Sequence, residues 1–395
     1  MASAIMRGWE HVGYNKETGT IIALARKSVI VARSIDFGVT WQDIKLPQPT
    51  FLNDMWYSGI DCDHERGVWF ITTFNSKGVL VSMDDGLTWN KMSNNWRFGG
   101  TGTSGQTYGV SENTIRHNTV CYGGGRWIFG IEHGTQSKVG NSSAYNMAND
   151  IVIPLPILHS ELASLMTAAA AIRAPHYKAL NAGNKFSNNY LNDVQCIRYI
   201  SNNNKFYGIS AAHTASVSAA PECKTNGDDA TCVGPRSDLA VKRQWLFDPT
   251  LAPASSITDL GNHADMPDHN THLCYDEDED ILIGIKDRRY IVTSEDSGTS
   301  WSPSSNPALE SFNPNPPTPC ENADIKSMAC AQGVIILTLN ENTDKIYRSI
   351  DRGNTFQEIT LSEPGLWTAK YCGNRFIMVA FNSNKSARSL TLDEV

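Results

Sequence analysis

Three histidines and two aspartates stand within ten residues of one another and could bind a divalent metal ion. Imidazole and carboxylate groups are the ligands that zinc and related ions accept in proteins. The spacing matches no established metal-binding motif, and the stretch has the composition of a loop, so a solvated polar loop is the favoured interpretation. We expect no cofactor, and the metal candidates are His263, Asp265, Asp268, His269 and His272.

Acidic residues near predicted strand starts could supply the carboxylate pair of a glycoside hydrolase. That reaction needs two carboxyl groups about 5–9.5 Å apart. Sequence alone selects no converging pair, and short acidic side chains at turns commonly bind backbone groups instead. No catalytic residue is therefore assigned among Asp54, Asp61, Glu112, Asp193, Asp265, Asp268 and Asp324.

One eight-residue phrase, S-x-D-x-G-x-[TS]-[WF], occurs four times in the chain. Its Asp can accept hydrogen bonds from N–H groups of a turn, and its Gly supplies a positive φ that a side chain would resist. The closing aromatic residue begins the next strand with a large apolar group to bury. We predict structural roles for Ser34, Asp36, Gly38, Trp41, Ser82, Asp84, Gly86, Trp89, Ser294, Asp296, Gly298, Trp301, Ser349, Asp351, Gly353 and Phe356.

This phrase resembles the Asp-box, or BNR repeat, which in its known families joins the two outer strands of a β-propeller blade. The resemblance implies a fold and not a reaction, because in those families the motif lies at the blade periphery. Sialidases carry similar boxes, together with an arginine triad that begins in an F/Y-R-I-P phrase and a Tyr–Glu pair. That phrase is absent here, and Arg116 and Arg198 are the candidates for the other arginines. The chain therefore resembles a non-sialidase member.

A second pattern, a tight turn followed by a continuous apolar run, occurs seven times. Runs that are apolar on both faces suit a sheet packed between neighbouring sheets. One strand before and two after each run give four strands per repeat. The sequence thus predicts an all-β fold, a seven-bladed β-propeller with four-stranded antiparallel blades, as one domain over residues 1–395. The seven segments are 18–25, 66–72, 124–130, 204–210, 280–285, 332–338 and 373–380.

Repeats three and four lack the box and carry inserts at 133–192 and 212–235. The first insert contains a predicted helix at about 160–173, with Ser160 as the N-cap. One apolar face of this helix either docks on its own propeller or contacts another subunit, and both alternatives remain open. The candidate interface residues are Leu162, Leu165, Met166 and Ile172.

The nine cysteines are predicted to be mostly buried free thiols, because most of them lie in strand-like runs. These are Cys121, Cys196, Cys274, Cys330 and Cys372. The second insert holds an exception, since its two cysteines could pair in an oxidising environment. They are Cys223 and Cys232.

The charge and the apolar content of the chain argue against nucleic acid and a membrane as partners. With 33 basic and 41 acidic residues the net charge is −8, which gives no bulk electrostatic case for nucleic acid. No stretch is apolar enough to span a membrane, and the N-terminus lacks the apolar core of a signal peptide, so we expect synthesis in the cytoplasm.

We expect a non-catalytic structural or binding propeller in a larger assembly, with other protein subunits as partners and surface glycan as a further candidate. The Asn- and Gly-rich composition most resembles that of phage tail or virion propellers, which implies incorporation into a virion and host attachment. The alternative is a carbohydrate-active protein, either a sialidase-like or other glycoside hydrolase or a glycan-binding propeller.

Overall fold

The computed structural model describes residues 9–25, 28–47, 57–73, 79–91, 116–132, 148–151, 177–179, 193–213, 240–251, 257–263, 265–267, 273–286, 290–303, 325–339, 343–381 and 388–391. Within these ranges the secondary structure consists of 26 β-strands and one 3-10 turn, Ser201–Asn203. The predicted all-β class is confirmed. Over the same ranges, no helix has the length and apolar character needed to cross a membrane.

Hydrogen bonds divide the strands into five antiparallel sheets, three of which contain four strands in chain order. The first sheet holds β1 (Trp9–Tyr14), β2 (Ile21–Ala25), β3 (Ile30–Ser34) and β4 (Gln42–Lys45). The second holds β5 (Tyr57–Asp63), β6 (Val68–Thr73), β7 (Leu80–Ser82) and β8 (Asn90–Lys91). The fourth holds β17 (Cys274–Asp276), β18 (Ile281–Lys286), β19 (Tyr290–Ser294) and β20 (Ser302–Pro303).

The other two sheets each join two groups of strands. The third sheet contains β9 (Arg116–Gly123), β10 (Arg126–Glu132), β11 (Ala148–Ile151), β12 (Tyr177–Ala179), β13 (Asp193–Ile200), β14 (Lys205–His213), β15 (Ala240–Phe247) and β16 (Ile257–Gly261). Its two groups meet at one residue pair, Glu132 with Asp193. The fifth sheet contains β21 (Ile325–Ala331), β22 (Val334–Leu339), β23 (Thr343–Ser349), β24 (Gln357–Cys372), β25 (Arg375–Phe381) and β26 (Arg388–Thr391). The long β24 pairs first with β23 and then with β25.

The first strands of successive inner hairpins contact one another in a closed order. The order is β1, β5, β9, β13, β17, β21, the second half of β24, and β1 again. The last hairpin packs on the first sheet, because Ile377 and Val379 of β25 share an apolar cluster with Ile21 and Ala23 of β2. This arrangement is a β-propeller. The count of seven blades stays a prediction, since the hydrogen bonds separate five sheets.

The core lies between successive sheets, as the apolar runs predict. All seven runs form the second strand of a hairpin, namely β2, β6, β10, β14, β18, β22 and β25. On β6 every side chain is buried, and alternate residues face opposite neighbours. Trp69 packs in one cluster with Ile22 of the first sheet. Phe70 faces the other way and meets the ring of Trp127 edge-on, with centroids 4.6 Å apart.

Part of the predicted first insert belongs to the third sheet. Strands β11 and β12 lie within 133–192, where β11 pairs with β10 on one side and with β12 on the other. The predicted helix at 160–173, with its four candidate interface residues, lies outside the described residues. Strand β14 extends to His213, so it includes the start of the second predicted insert. The remainder of that insert, with Cys223 and Cys232, also lies outside the described ranges.

Cys274 and Cys330 form a disulfide bond, so the prediction that both are free thiols is wrong. Their Cα atoms are 6.1 Å apart, and the bond crosslinks β17 to β21 in the next sheet. The sequence did not reveal the pairing because the two residues stand 56 positions apart in different repeats. The free, buried cysteines in the described ranges are Cys62, Cys121, Cys196 and Cys372, the last three as predicted.

Candidate functional site

All four copies of the eight-residue phrase form the same hydrogen-bonded turn. In the first copy the Ser34 hydroxyl donates to Asp36 Oδ1 at 2.7 Å and accepts the Gly38 N–H at 2.9 Å. Asp36 also accepts the Thr40 N–H at 2.8 Å and the Thr40 hydroxyl at 2.5 Å. The same four bonds recur in the turns that begin at Ser82, Ser294 and Ser349. We call these four segments the repeated turns.

The repeated-turn carboxylates act as structural acceptors. Burial by itself would raise the pKa of Asp36, Asp296 and Asp351, but bonds from the hydroxyl and N–H four residues later hold each pKa below its usual value. These groups therefore stay ionised and committed to the turn near neutral pH.

The variable residue between Asp and Gly joins each repeated turn to the preceding sheet. All four have φ between 55° and 59°, a region that residues other than Gly seldom adopt. Arg375 lies 6.0 Å above the Phe37 ring, the Asn203 amide donates to the Ser297 hydroxyl at 2.6 Å, and Arg352 pairs with Glu279. Each partner belongs to the hairpin one step earlier around the ring. The four variable residues are Phe37, Asp85, Ser297 and Arg352.

Among these four residues, Asp85 makes the largest set of hydrogen bonds. Its Oδ1 accepts from the Asn15 amide at 3.1 Å and from the Trp69 indole at 3.0 Å. Its Oδ2 accepts the Thr20 hydroxyl and the Arg33 guanidinium, the latter at 3.3 Å. Three of the four donors belong to the first sheet, so one carboxylate bonds two sheets together.

The repeated-turn glycines have a second role besides their positive φ. At Gly86 a Cβ atom would lie 2.6 Å from Ile22 Cδ1, and at Gly298 it would lie 2.2 Å from Tyr207 Cε2. Both neighbours belong to the preceding group of strands. The glycine therefore allows close contact between sheets as well as the turn itself.

Two of the sialidase-like and glycosidase candidates, Arg198 and Asp61, bind backbone groups. Arg198 donates to the Leu273 carbonyl at 2.6 Å and to the Ile197 carbonyl at 2.8 Å. Asp61 accepts the Tyr122 N–H at 2.7 Å. Arg116 and Asp193 are placed on β9 and β13 by their backbones. The other acidic candidates, apart from Asp265, lie outside the described residues: Asp54, Glu112, Asp268 and Asp324.

The histidine-rich stretch is only partly described. His263 is exposed, and Asp265 pairs with Lys286 Nζ at 2.9 Å. Asp268, His269 and His272 lie outside the described ranges. Within those ranges, no group of three or more His, Cys, Asp or Glu side chains could hold a metal ion.

Five tyrosines occupy equivalent positions, one in each of five inner hairpins. Each lies at the end of the hairpin's first strand, or one residue before it, directly opposite an apolar or aromatic residue of the second strand. In the other two hairpins Cys62 and Cys330 take this position. We call the five the tyrosine collar: Tyr14, Tyr122, Tyr199, Tyr275 and Tyr371. The sequence pattern alone did not indicate it, because turns of different length separate the tyrosines from their partners on the second strand.

Collar residues are partly exposed and pack on neighbouring hairpins. The Tyr199 ring covers Gly123 of the preceding hairpin, where a Cβ atom would lie 2.0 Å from the ring. The Tyr199 hydroxyl donates to Asn204 Oδ1 at 2.9 Å, and the Tyr275 hydroxyl donates to Asp280 Oδ1 at 2.8 Å. These two rings are thus held in place, and all five tyrosines stay partly open to solvent.

Burial raises the pKa of all five collar hydroxyls, to about 12 for Tyr122 and Tyr275. For Tyr371 the nearby carboxylates of Asp278 and Asp276 raise the pKa further. The collar therefore consists of neutral phenols across the physiological pH range.

The collar and the repeated turns lie at the same end of the sheets. In a four-stranded antiparallel sheet in chain order, the first and third connections share one end. Direct bonds agree, since the Asp85 N–H donates to the Gly67 carbonyl at 3.0 Å and the Arg352 N–H donates to the Gly333 carbonyl at 3.4 Å. We call this end, with its inner hairpins and outer turns, the hairpin face.

The chain is similar in fold to solved β-propellers. A structure of YCF48 bound to D1 peptide matches with a TM-score of 0.55 and 9% identity, over 98% of this chain and 94% of that one. YCF48 from Cyanidioschyzon merolae matches with a TM-score of 0.53 and 8% identity, over 98% of this chain and 97% of that one. A chain of the mitotic checkpoint complex matches with a TM-score of 0.53 and 7% identity, over 99% of this chain and 90% of that one. No protein-family model and no curated protein matches the chain. Identities this low show the fold alone.

Proposed function

We propose that this chain is an Asp-box β-propeller of seven blades that works by binding, as a non-catalytic component of a larger protein assembly. The tyrosine collar carries the proposal, because five partly exposed, neutral aromatic rings at one end of the sheets form a binding surface. Tyrosine is enriched at protein interfaces, where its ring adds contact area and its hydroxyl adds a hydrogen bond. The closed order of seven innermost strands supports seven blades.

Two further observations favour binding over catalysis. Arg198 and Asp61, the candidates on the innermost strands whose side chains the structure describes, already bind backbone groups. Some similar propellers are described in complexes, namely YCF48 with D1 peptide and a chain of the mitotic checkpoint complex. We propose a phage tail or virion as the kind of assembly, because the Asn- and Gly-rich composition resembles such propellers. The protein would be made in the cytoplasm and incorporated into the virion.

Purified protein is expected to release no fluorophore from a fluorogenic sialoside above the buffer blank. The guanidinium of Arg198 is bound by two carbonyls, and a sialidase needs free arginines for the substrate carboxylate. A known sialidase serves as the positive control. Turnover that Arg198→Ala or Arg116→Ala abolishes would contradict the proposal.

A further inference from the structure

We propose that the hairpin face binds a segment rich in lysine and arginine from a partner protein, and that the tyrosine collar receives its basic side chains. This inference rests on the proposed binding function and adds the chemistry of the partner.

The hairpin face carries the excess negative charge of the chain. The hairpins and turns that make up this face contain 15 acidic and six basic residues, a net charge of −9, against −8 for the whole chain. The rest of the chain is therefore close to neutral in sum, and the excess negative charge lies at one end of the sheets. The segments counted are 14–21, 62–69, 122–127, 199–206, 275–282, 330–335 and 371–376 for the hairpins, with 34–41, 82–89, 248–251, 294–301 and 349–356 for the turns.

Several of the basic residues on this face are already paired. Arg66 pairs with Asp63, and Arg352 pairs with Glu279. Lys205 lies 4.0 Å from Asp248. Such pairs leave the acidic excess in place, and a surface of one sign attracts and orients partners of the opposite sign.

Exposed carboxylates stand next to the collar. Glu277 and Asp278 are exposed at the tip of the β17–β18 hairpin. Glu277 is close enough to act electrostatically on Tyr199, and Asp278 acts in the same way on Tyr371. A lysine or arginine side chain can thus meet a carboxylate and an aromatic face together. The ring faces of tyrosine attract cations, and exposed contacts of this kind are individually weak, so several must act together.

Lys370 is a basic residue beside the collar whose removal tests the proposed charge preference. It is exposed on β24, directly before Tyr371, and its positive charge opposes a cationic ligand. Its removal should therefore strengthen binding, whereas removal of the carboxylates should weaken it. Opposite responses from neighbouring residues are difficult to obtain through a general loss of folding.

The test measures fluorescence anisotropy of a labelled ten-residue peptide of alternating lysine and arginine, with a Gly-Ser peptide of the same length as the control ligand. The wild-type protein should bind the cationic peptide at 50 mM NaCl and lose most of this binding at 500 mM. The Glu277→Gln/Asp278→Asn double variant should bind about 5-fold more weakly, as expected for two exposed ion pairs. Tyr371→Leu should weaken binding about 2–5-fold, Tyr371→Phe should retain it, and Lys370→Ala should strengthen it.

A matched control distinguishes binding at a defined site from general electrostatic attraction to the whole protein. Asp344→Asn/Glu363→Gln removes the same charge from β23 and β24, at the end of this sheet opposite the hairpin face. This variant should bind the cationic peptide within about 2-fold of wild type. Circular dichroism melts establish that each variant is folded.

Three results would overturn the inference. They are no binding of the cationic peptide, equal weakening by the Asp344/Glu363 control, and tighter binding of neutral oligosaccharides than of the peptide at the same face. If the protein still sediments with a large assembly in native extract while any of these results holds, the inference about the partner fails and the proposed function survives.

Discussion

Replacement of Gly298 by alanine is expected to lower the free energy of unfolding by about 2–5 kcal/mol. Two costs combine: a residue with a side chain at φ +89° is strained by about 1–2 kcal/mol, and overpacking adds about 1–3 kcal/mol. The second cost arises because the new Cβ would lie 2.2 Å from the buried ring of Tyr207. That ring and the Trp301 indole share one acceptor, Gln244 Oε1, so the shift would spread into the contact between sheets.

Gly125→Ala is the matched control, since Gly125 has φ +74° and a Cβ atom added there would have no neighbour within 4 Å. The free energy of unfolding of this variant should fall only by the cost of the strained backbone conformation, about 1–2 kcal/mol. Urea unfolding followed by tryptophan fluorescence measures both variants. Equal losses in the two would show that the repeated-turn glycine serves the turn alone and not the contact between sheets.

Loss of the Cys274–Cys330 disulfide is expected to lower the free energy of unfolding by about 4 kcal/mol. The bond closes a loop across 56 residues, and loop-closure entropy of the unfolded chain gives this magnitude. Both cysteines are buried where two sheets meet, so the folded contacts should persist while the unfolded chain gains freedom. Reduction with a phosphine in mild urea should therefore shift the unfolding midpoint downward.

The Cys274→Ala/Cys330→Ala variant distinguishes the crosslink from other effects of the reductant. Its midpoint should be low from the start and should not respond to the phosphine. A wild-type midpoint that is insensitive to reduction, with complete reduction verified by thiol counting, would show that the two cysteines do not stabilise the fold through a bond.

The repeated turns were predictable from sequence because their bonds are local. Ser34, Asp36 and Thr40 lie within seven residues, and side-chain-to-backbone geometry over that span depends little on the rest of the fold. The contacts of these turns with the preceding sheet were not predictable. The residue that makes each contact varies in type, from Phe37 to Asp85, and its partner lies far away in the sequence.

The collar and the acidic hairpin illustrate the same limit. Tyr14 and Tyr122 are equivalent only once the strand register is known, since six residues separate the first from its partner and four separate the second. Asp276 begins the acidic run 276–280 at the tip of the β17–β18 hairpin. In the structure it is buried and accepts N–H groups of Gln332 and Gly333 in the next sheet at 3.0 and 2.8 Å.

Sedimentation of the tagged chain in fresh extract of its natural source, at physiological salt, tests most directly whether this propeller works as a binding component of an assembly. The chain has a mass of 43.5 kDa. We predict that it sediments with a particle several times this mass, and that denaturing electrophoresis of the particle shows other subunits in fixed ratio. Sedimentation as a 43.5 kDa monomer in that extract would contradict the account.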